Sequence, residues 1–141
     1  MATLNPYLNF AGNTEEAFIF YKSVFGGEFV TVSRFKDTPH GDNMSAEDKE
    51  KLMHIALPIG KGNVLMGTDT LASSGHTLNV GNNVSLSLSP ESEAETEQLF
   101  NSISAGGTVI VPLEKAFWGA YFGMCIDKFG ITWMVNYELK K

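Results

Sequence analysis

The sequence lacks most of what would announce a familiar chemistry. It has one cysteine, Cys125, so no disulfide can form within the chain and an oxidising compartment is not signalled. Charge is sparse, at 18% of residues, and biased to one sign: 16 Asp and Glu against 10 Lys and Arg, a formal net charge of −6. Phosphate backbones and anionic lipid surfaces attract basic patches, so neither nucleic acid nor a membrane is an expected partner. No apolar run approaches the ~20 residues that a membrane span needs. The N-terminal Met-Ala-Thr-Leu-Asn-Pro has no basic and then apolar signal-peptide pattern, so a cytoplasmic location is expected. No Ser/His/Asp or Cys/His grouping, and no phosphate loop, stands out.

What is present is a core. Hydrophobic residues make up 43% of 141, enough for one domain that buries roughly 68–70% of its unfolded surface. Residues 6–11 read as a short strand, with Pro6 confined to its start or an edge. Gly12-Asn13-Thr14 breaks it, Asn13 or Thr14 can cap a helix, and Glu15 and Glu16 suit the positive end of that helix. Ala17, Phe20, Tyr21 and Val24 form an apolar stripe at helical spacing, and Gly26-Gly27 ends it. Residues 28–36 alternate as a strand. The polar stretch 37–50 reads as a loop with one helical turn capped by Ser45. Strands 52–59 and 64–69 flank a glycine hairpin, Gly60-Lys61-Gly62-Asn63. Residues 70–82 are a loop rich in Gly, Ser and Asn.

The second half repeats the order. Residues 83–89 alternate strictly, and Pro90-Glu91-Ser92-Glu93 opens a helix with a stripe of Ala94, Leu99, Phe100 and Ile103. Gly106-Gly107 closes it, and strands follow at 108–113, 120–127 and 131–139. The offset between halves is about 80 residues. Each half, about 3–69 and 83–139, reads strand, helix, three strands, and alone would be marginal. The fold expected is α+β: tandem βαβββ modules in a single domain, forming a curved eight-stranded mixed sheet, or cup, with the helices outside.

Phe20-Tyr21-x-x-Val24-Phe25-Gly26, closing the first helix of this duplication, resembles the vicinal oxygen chelate superfamily, which includes glyoxalase I, bleomycin-resistance proteins and extradiol dioxygenases. Pro6-Tyr7-Leu8-Asn9-Phe10 with Gly12, Glu16-Ala17 and Phe20-Tyr21 narrows the resemblance to the PhnB-like branch, often labelled 3-demethylubiquinone methyltransferase-like. Phe117-Trp118-Gly119-Ala120-Tyr121-Phe122-Gly123 and Asp127-Lys128-Phe129-Gly130-Ile131-Thr132-Trp133-Met134-Val135-Asn136 are its further signatures. The sequence shows no glycine-rich loop between strand and helix, followed by an acidic residue, of the kind a nucleotide-like cofactor wants.

The resemblance implies a divalent metal in the cup, held by two ligands from each half, chiefly His, Glu and Gln. Counted from the motifs, those positions fall near Pro6, near Met66 or Gly67 with Asp69 just beyond, near Asn83, and near Met134. Proline and methionine are poor ligands for such an ion, so no metal and no other cofactor is expected. His40 and His76 sit in polar loops and read as solvated. His54 lies mid-strand, with Met53 and Ile55 on one face and His54 and Ala56 on the other. It is either a hydrogen-bonded sheet-face histidine or a general base or ligand donor lining the cup.

Thr132, Met134 and Asn136 share one face of the last strand, and Met134 at a metal position turns that face to the cup. Asn136 can hydrogen-bond a ligand or cap the strand end. Trp133, on the other face, packs under a helix. Trp118, Tyr121 and Phe122, between glycines, wall an apolar pocket or stabilise a dimer seam. Asp69 is a turn-former or a ligand contact. Glu114 is a carboxylate near the cup or a solvated strand-end charge. Cys125, in Gly-Met-Cys-Ile-Asp, reads as a small buried hydrophobe. The candidate ligand contacts are thus His54, Asp69, Trp118, Tyr121, Phe122, Met134 and Asn136.

Two functions follow. The first is a homodimer that binds a small organic molecule in the cup without metal; by resemblance, bleomycin-resistance proteins show that such a fold can bind without catalysis. The second is a metal-dependent lyase, isomerase or dioxygenase with an altered ligand set drawn from His54, Asp69 or Glu114. A structural dimer with a filled cup is a third reading.

Overall fold

The computed structural model describes residues 2–39, 41–75 and 77–139; His40 and His76 lie outside them. The chain divides into two compact units between Asn79 and Val80. Each holds one of the expected βαβββ modules.

The first unit contains β1 (Tyr7–Phe10), α1 (Thr14–Phe25), β2 (Thr31–Arg34), α2 (Ala46–Lys49), β3 (Leu52–Ile59) and β4 (Asn63–Asp69). Its sheet runs β1-β4-β3-β2, with β1 parallel to β4 and the other pairs antiparallel. The hairpin turn is the glycine turn expected, with φ of +61° at Gly60 and +87° at Gly62. The helical turn expected in the polar stretch is α2, where the Ser45 hydroxyl accepts from Asp48 N at 3.1 Å; a 3₁₀ turn at Gly41–Asn43 precedes it. Strand β2 is shorter than the sequence suggests. Its register with β3 breaks between Ser33 and Arg34, and the chain then coils into a 3₁₀ turn over Phe35–Asp37. The Arg34 guanidinium leaves that break to clamp Glu15 of α1 at 2.8 and 3.1 Å and the Glu50 carbonyl at 2.7 Å. This two-pronged contact holds the Glu15 carboxyl below its ordinary value.

Helix α1 buries Thr14, Ala17, Phe18 and Tyr21 against Leu8, Phe10, Ile55, Leu57 and Leu65. The stripe is therefore rotated from the expected one. Phe18 is fully buried, whereas Phe20 and Val24 are only half-buried. The run Phe18-Ile19-Phe20-Tyr21 offers an apolar residue in every direction, so spacing alone does not select the face. Gly67 on β4 does select it: a Cβ there would stand 2.6 Å from Phe18 Cε1. The missing side chain is the slot that admits the phenyl ring.

The second unit contains β5 (Leu86–Leu88), α3 (Glu93–Ile103), β6 (Thr108–Lys115), β7 (Ala120–Ile126) and β8 (Thr132–Glu138). Its order, β5-β8-β7-β6, repeats that of the first sheet strand for strand. Among the described residues the eight strands expected are present, as two four-stranded mixed sheets. Ser92 caps α3 by accepting from Glu95 N at 3.0 Å, and the Glu95 carboxylate accepts from Glu91 N at 2.6 Å. Helix α3 buries Thr96, Phe100 and Ile103, while Ala94, expected in the stripe, is exposed. Phe100 also enters a glycine slot, but on a different strand. A Cβ on Gly123 of β7 would stand 2.7 Å from Phe100 Cε1.

Trp133 is 1% exposed on the helix side of the sheet, as expected. Its indole N–H donates to Asp127 Oδ2 at 2.8 Å, and Asp127 Oδ1 accepts from Phe129 N and Ile131 N, shaping the turn between β7 and β8. Cys125 is fully buried, and burial pushes its thiol up to about 11. It is an unreactive core residue.

Candidate functional site

In each module one sheet face meets the long helix, and the other turns away from it. Gly67, with Phe18 over it, marks the helix side of the first sheet. Its register partners Leu8 and Ile55 point the same way. Tyr7, Met66, Ala56 and His54 therefore point away from α1. The parity read for β3 is the one observed: Ile55 goes to the helix, His54 and Ala56 to the opposite face. On that face the Tyr7 hydroxyl lies 3.2 Å from His54 Nδ1, and the two rings are 5.6 Å apart. Ser33 is the cross-strand neighbour of His54. Thr68 donates its hydroxyl to the Met53 carbonyl at 2.7 Å.

Tyr7 is not among the site residues that the sequence singles out. Alternation in Tyr-Leu-Asn-Phe separates it from buried Leu8 and Phe10, but its approach to a histidine two strands away depends on the sheet order.

Asp69 does something else. It is 4% exposed. Its Oδ1 accepts from Gly12 N, Thr14 N and the Thr14 hydroxyl at 3.0, 3.0 and 2.6 Å, and its Oδ2 accepts from Leu52 N at 2.8 Å. The carboxylate thus caps α1 from a distance, a task Asn13 at the cap position leaves undone. It also pins the start of β3. Asp69 is held as a joint of the module.

In the second sheet Gly123, with Phe100 over it, marks the helix side, and Val135 is its register partner. Met134, Asn136, Phe122 and Met124 point away from α3, paired Met124 with Met134 and Phe122 with Asn136. The Trp118 ring meets Phe122 edge-on at 6.1 Å and is itself met by Phe117 at 5.2 Å. Trp118 is 61% exposed. Asn136 is half-buried, and its Oδ1 is shielded from solvent with no hydrogen-bond partner. Glu114, exposed, is the cross-strand neighbour of Phe122. The structure therefore gathers Trp118, Phe122, Met134 and Asn136. It separates Tyr121 from them: that side chain lies on the α3 side, where its hydroxyl donates to Glu97 Oε2 at 2.8 Å. The bond to a carboxylate raises the phenol above its ordinary value.

Met66 and Met134 stand at equivalent registers. Met66 lies between Tyr7 on β1 and Ala56 on β3; Met134 lies between Ser87 on β5 and Met124 on β7. These are the positions at which the sequence resemblance implies metal-binding carboxylates. A thioether is a soft ligand, whereas an oxygen-rich divalent site is hard, so this donor set does not fit that ion. Asp69, just beyond, has both oxygens engaged, and Asn83 is exposed ahead of β5. Among the described residues no three His, Cys, Asp or Glu cluster as metal ligands do. Among the same residues no helix is long and apolar enough to cross a membrane.

The family model for 3-demethylubiquinone-9 3-methyltransferase matches residues 2–136. Protein YjdN of Escherichia coli strain K12 is 32% identical over 139 residues, covering 94% of this chain and 93% of its own. The crystal structure of PA1353 from Pseudomonas aeruginosa superposes with a TM-score of 0.86 at 38% identity, covering 99% of this chain and 100% of that one. A Bacillus cereus protein described as PhnB and as a 3-demethylubiquinone-9 3-methyltransferase superposes with a TM-score of 0.76 at 26% identity, over 96% and 99% of the two chains. With the duplicated module and its repeated strand order, these matches establish that the chain belongs to the 3-demethylubiquinone-9 3-methyltransferase family.

Proposed function

We propose that this protein is a cytoplasmic homodimer that binds a small organic molecule on the sheet faces turned away from its helices, and that it does so without the divalent metal of its superfamily. The two modules act together as one domain in this reading. The observation that carries it is the pair Met66 and Met134. Apolar, polarisable side chains occupy the places where a metal site needs charged oxygen, which favours burial of an organic ligand over coordination of an ion. The contacts proposed are His54 with Tyr7 on the first sheet, and Trp118, Phe122, Met134 and Asn136 on the second. Asp69 and Tyr121 leave the ligand set, because their polar atoms are spent within their own modules.

Elemental analysis of tag-free protein, followed by thermal melts with added divalent ions, tests this reading. The expected result is no stoichiometric metal and no stabilisation. One equivalent of metal per chain, or a rise in Tm that grows with ion concentration, would overturn it, since an ion that binds only the native state must stabilise it by mass action.

A further inference from the structure

The second sheet carries an unusual combination on its open face. Trp118 and Phe122 present aromatic surface, Met124 and Met134 present thioethers beside it, and Asn136 holds a carbonyl oxygen with no donor. A buried acceptor without a partner costs free energy comparable to a lost hydrogen bond, and native structures rarely leave one unexplained. The face has no free cation among these residues. Lys115 is occupied elsewhere, paired with Glu93 at 3.0 Å, and Glu114 beside Phe122 adds negative charge.

We infer that this face binds a planar aromatic molecule that is not anionic and carries an O–H or N–H donor. The ring lies against Trp118 and Phe122, where offset or edge-on aromatic contacts and sulfur–ring contacts from the methionines favour it over an aliphatic body of equal size. The donor satisfies Asn136 Oδ1. Glu114 disfavours carboxylate-bearing ligands by like-charge repulsion. This inference rests on the proposal that the protein binds a small organic molecule, and it names the class.

Three probes separate the terms: phenol has ring and donor, anisole has the ring without the donor, and cyclohexanol has the donor without the ring. Titration of ¹⁵N-labelled protein, followed at the indole N–H of Trp118, reads binding where it is proposed. Trp133, 1% exposed and bonded to Asp127, is an internal control that stays still. Phenol should bind about tenfold more tightly than either analogue. In Asn136→Leu, the preference for phenol over anisole should vanish while anisole still binds. Equal affinity for phenol and anisole in the native protein overturns the role of Asn136 whether or not the variant folds. Equal affinity for cyclohexanol overturns the aromatic class and leaves small-molecule binding standing. No shift with any probe overturns both this inference and the reading it rests on.

Discussion

Asp69 shows how one side chain can be read two ways from its neighbours in sequence and only one way in space. Ending a strand before a loop, it is a turn-former or a ligand contact by pattern. In the structure it receives hydrogen bonds from two separate segments of the first module, through Gly12 and Thr14 on one and Leu52 on the other. Nothing local in the sequence announces these partners, because they depend on β1 lying parallel to β4. Asp69→Asn should lower unfolding stability in urea by about 2–3 kcal/mol, since an amide N–H₂ would then face backbone donors. An unchanged urea midpoint would show that the carboxylate is not the joint described. His54 is the opposite case. Its face is legible from strand alternation alone, whereas its partner Tyr7 is not, because the contact spans the sheet.

At the scale of elements, the strands and helices lie close to where spacing puts them, and the departures have local causes. Strand β2 ends at Arg34, just past its register break, because the chain coils at Phe35. Both helix stripes begin at a buried threonine, Thr14 in α1 and Thr96 in α3, which an apolar pattern passes over. The partner of Phe18 is an absence, Gly67, and a gap gives no hydropathy signal. Gly67→Ala should overpack this slot and cost about 1–3 kcal/mol. Adding Phe18→Leu, which withdraws the ring edge, should recover part of that loss. If the double variant is no more stable than Gly67→Ala by thermal melts, the ring is not what the glycine accommodates.

For the whole molecule, the repeat is the feature most plainly written in the sequence: the glycine pairs, the capped helices and the strand order all recur. The proposed homodimer is tested by light scattering at micromolar concentration, where the mass should be twice that of the 15.4 kDa chain. A monomeric mass would remove that part of the proposal. The two slots that receive Phe18 and Phe100 have a consequence of their own. In the first sheet the gap is Gly67 on β4, opposite Ile55. In the second it is Gly123 on β7, opposite Val135 on β8. Laid over one another, the modules exchange large for small at this pair of positions. A chain that folds two look-alike halves runs the risk that a helix settles on the wrong sheet. Here the trespassing ring would strike a branched side chain where its own sheet leaves a hole. Duplication made the halves alike, and one transposed glycine keeps them from being mistaken for each other.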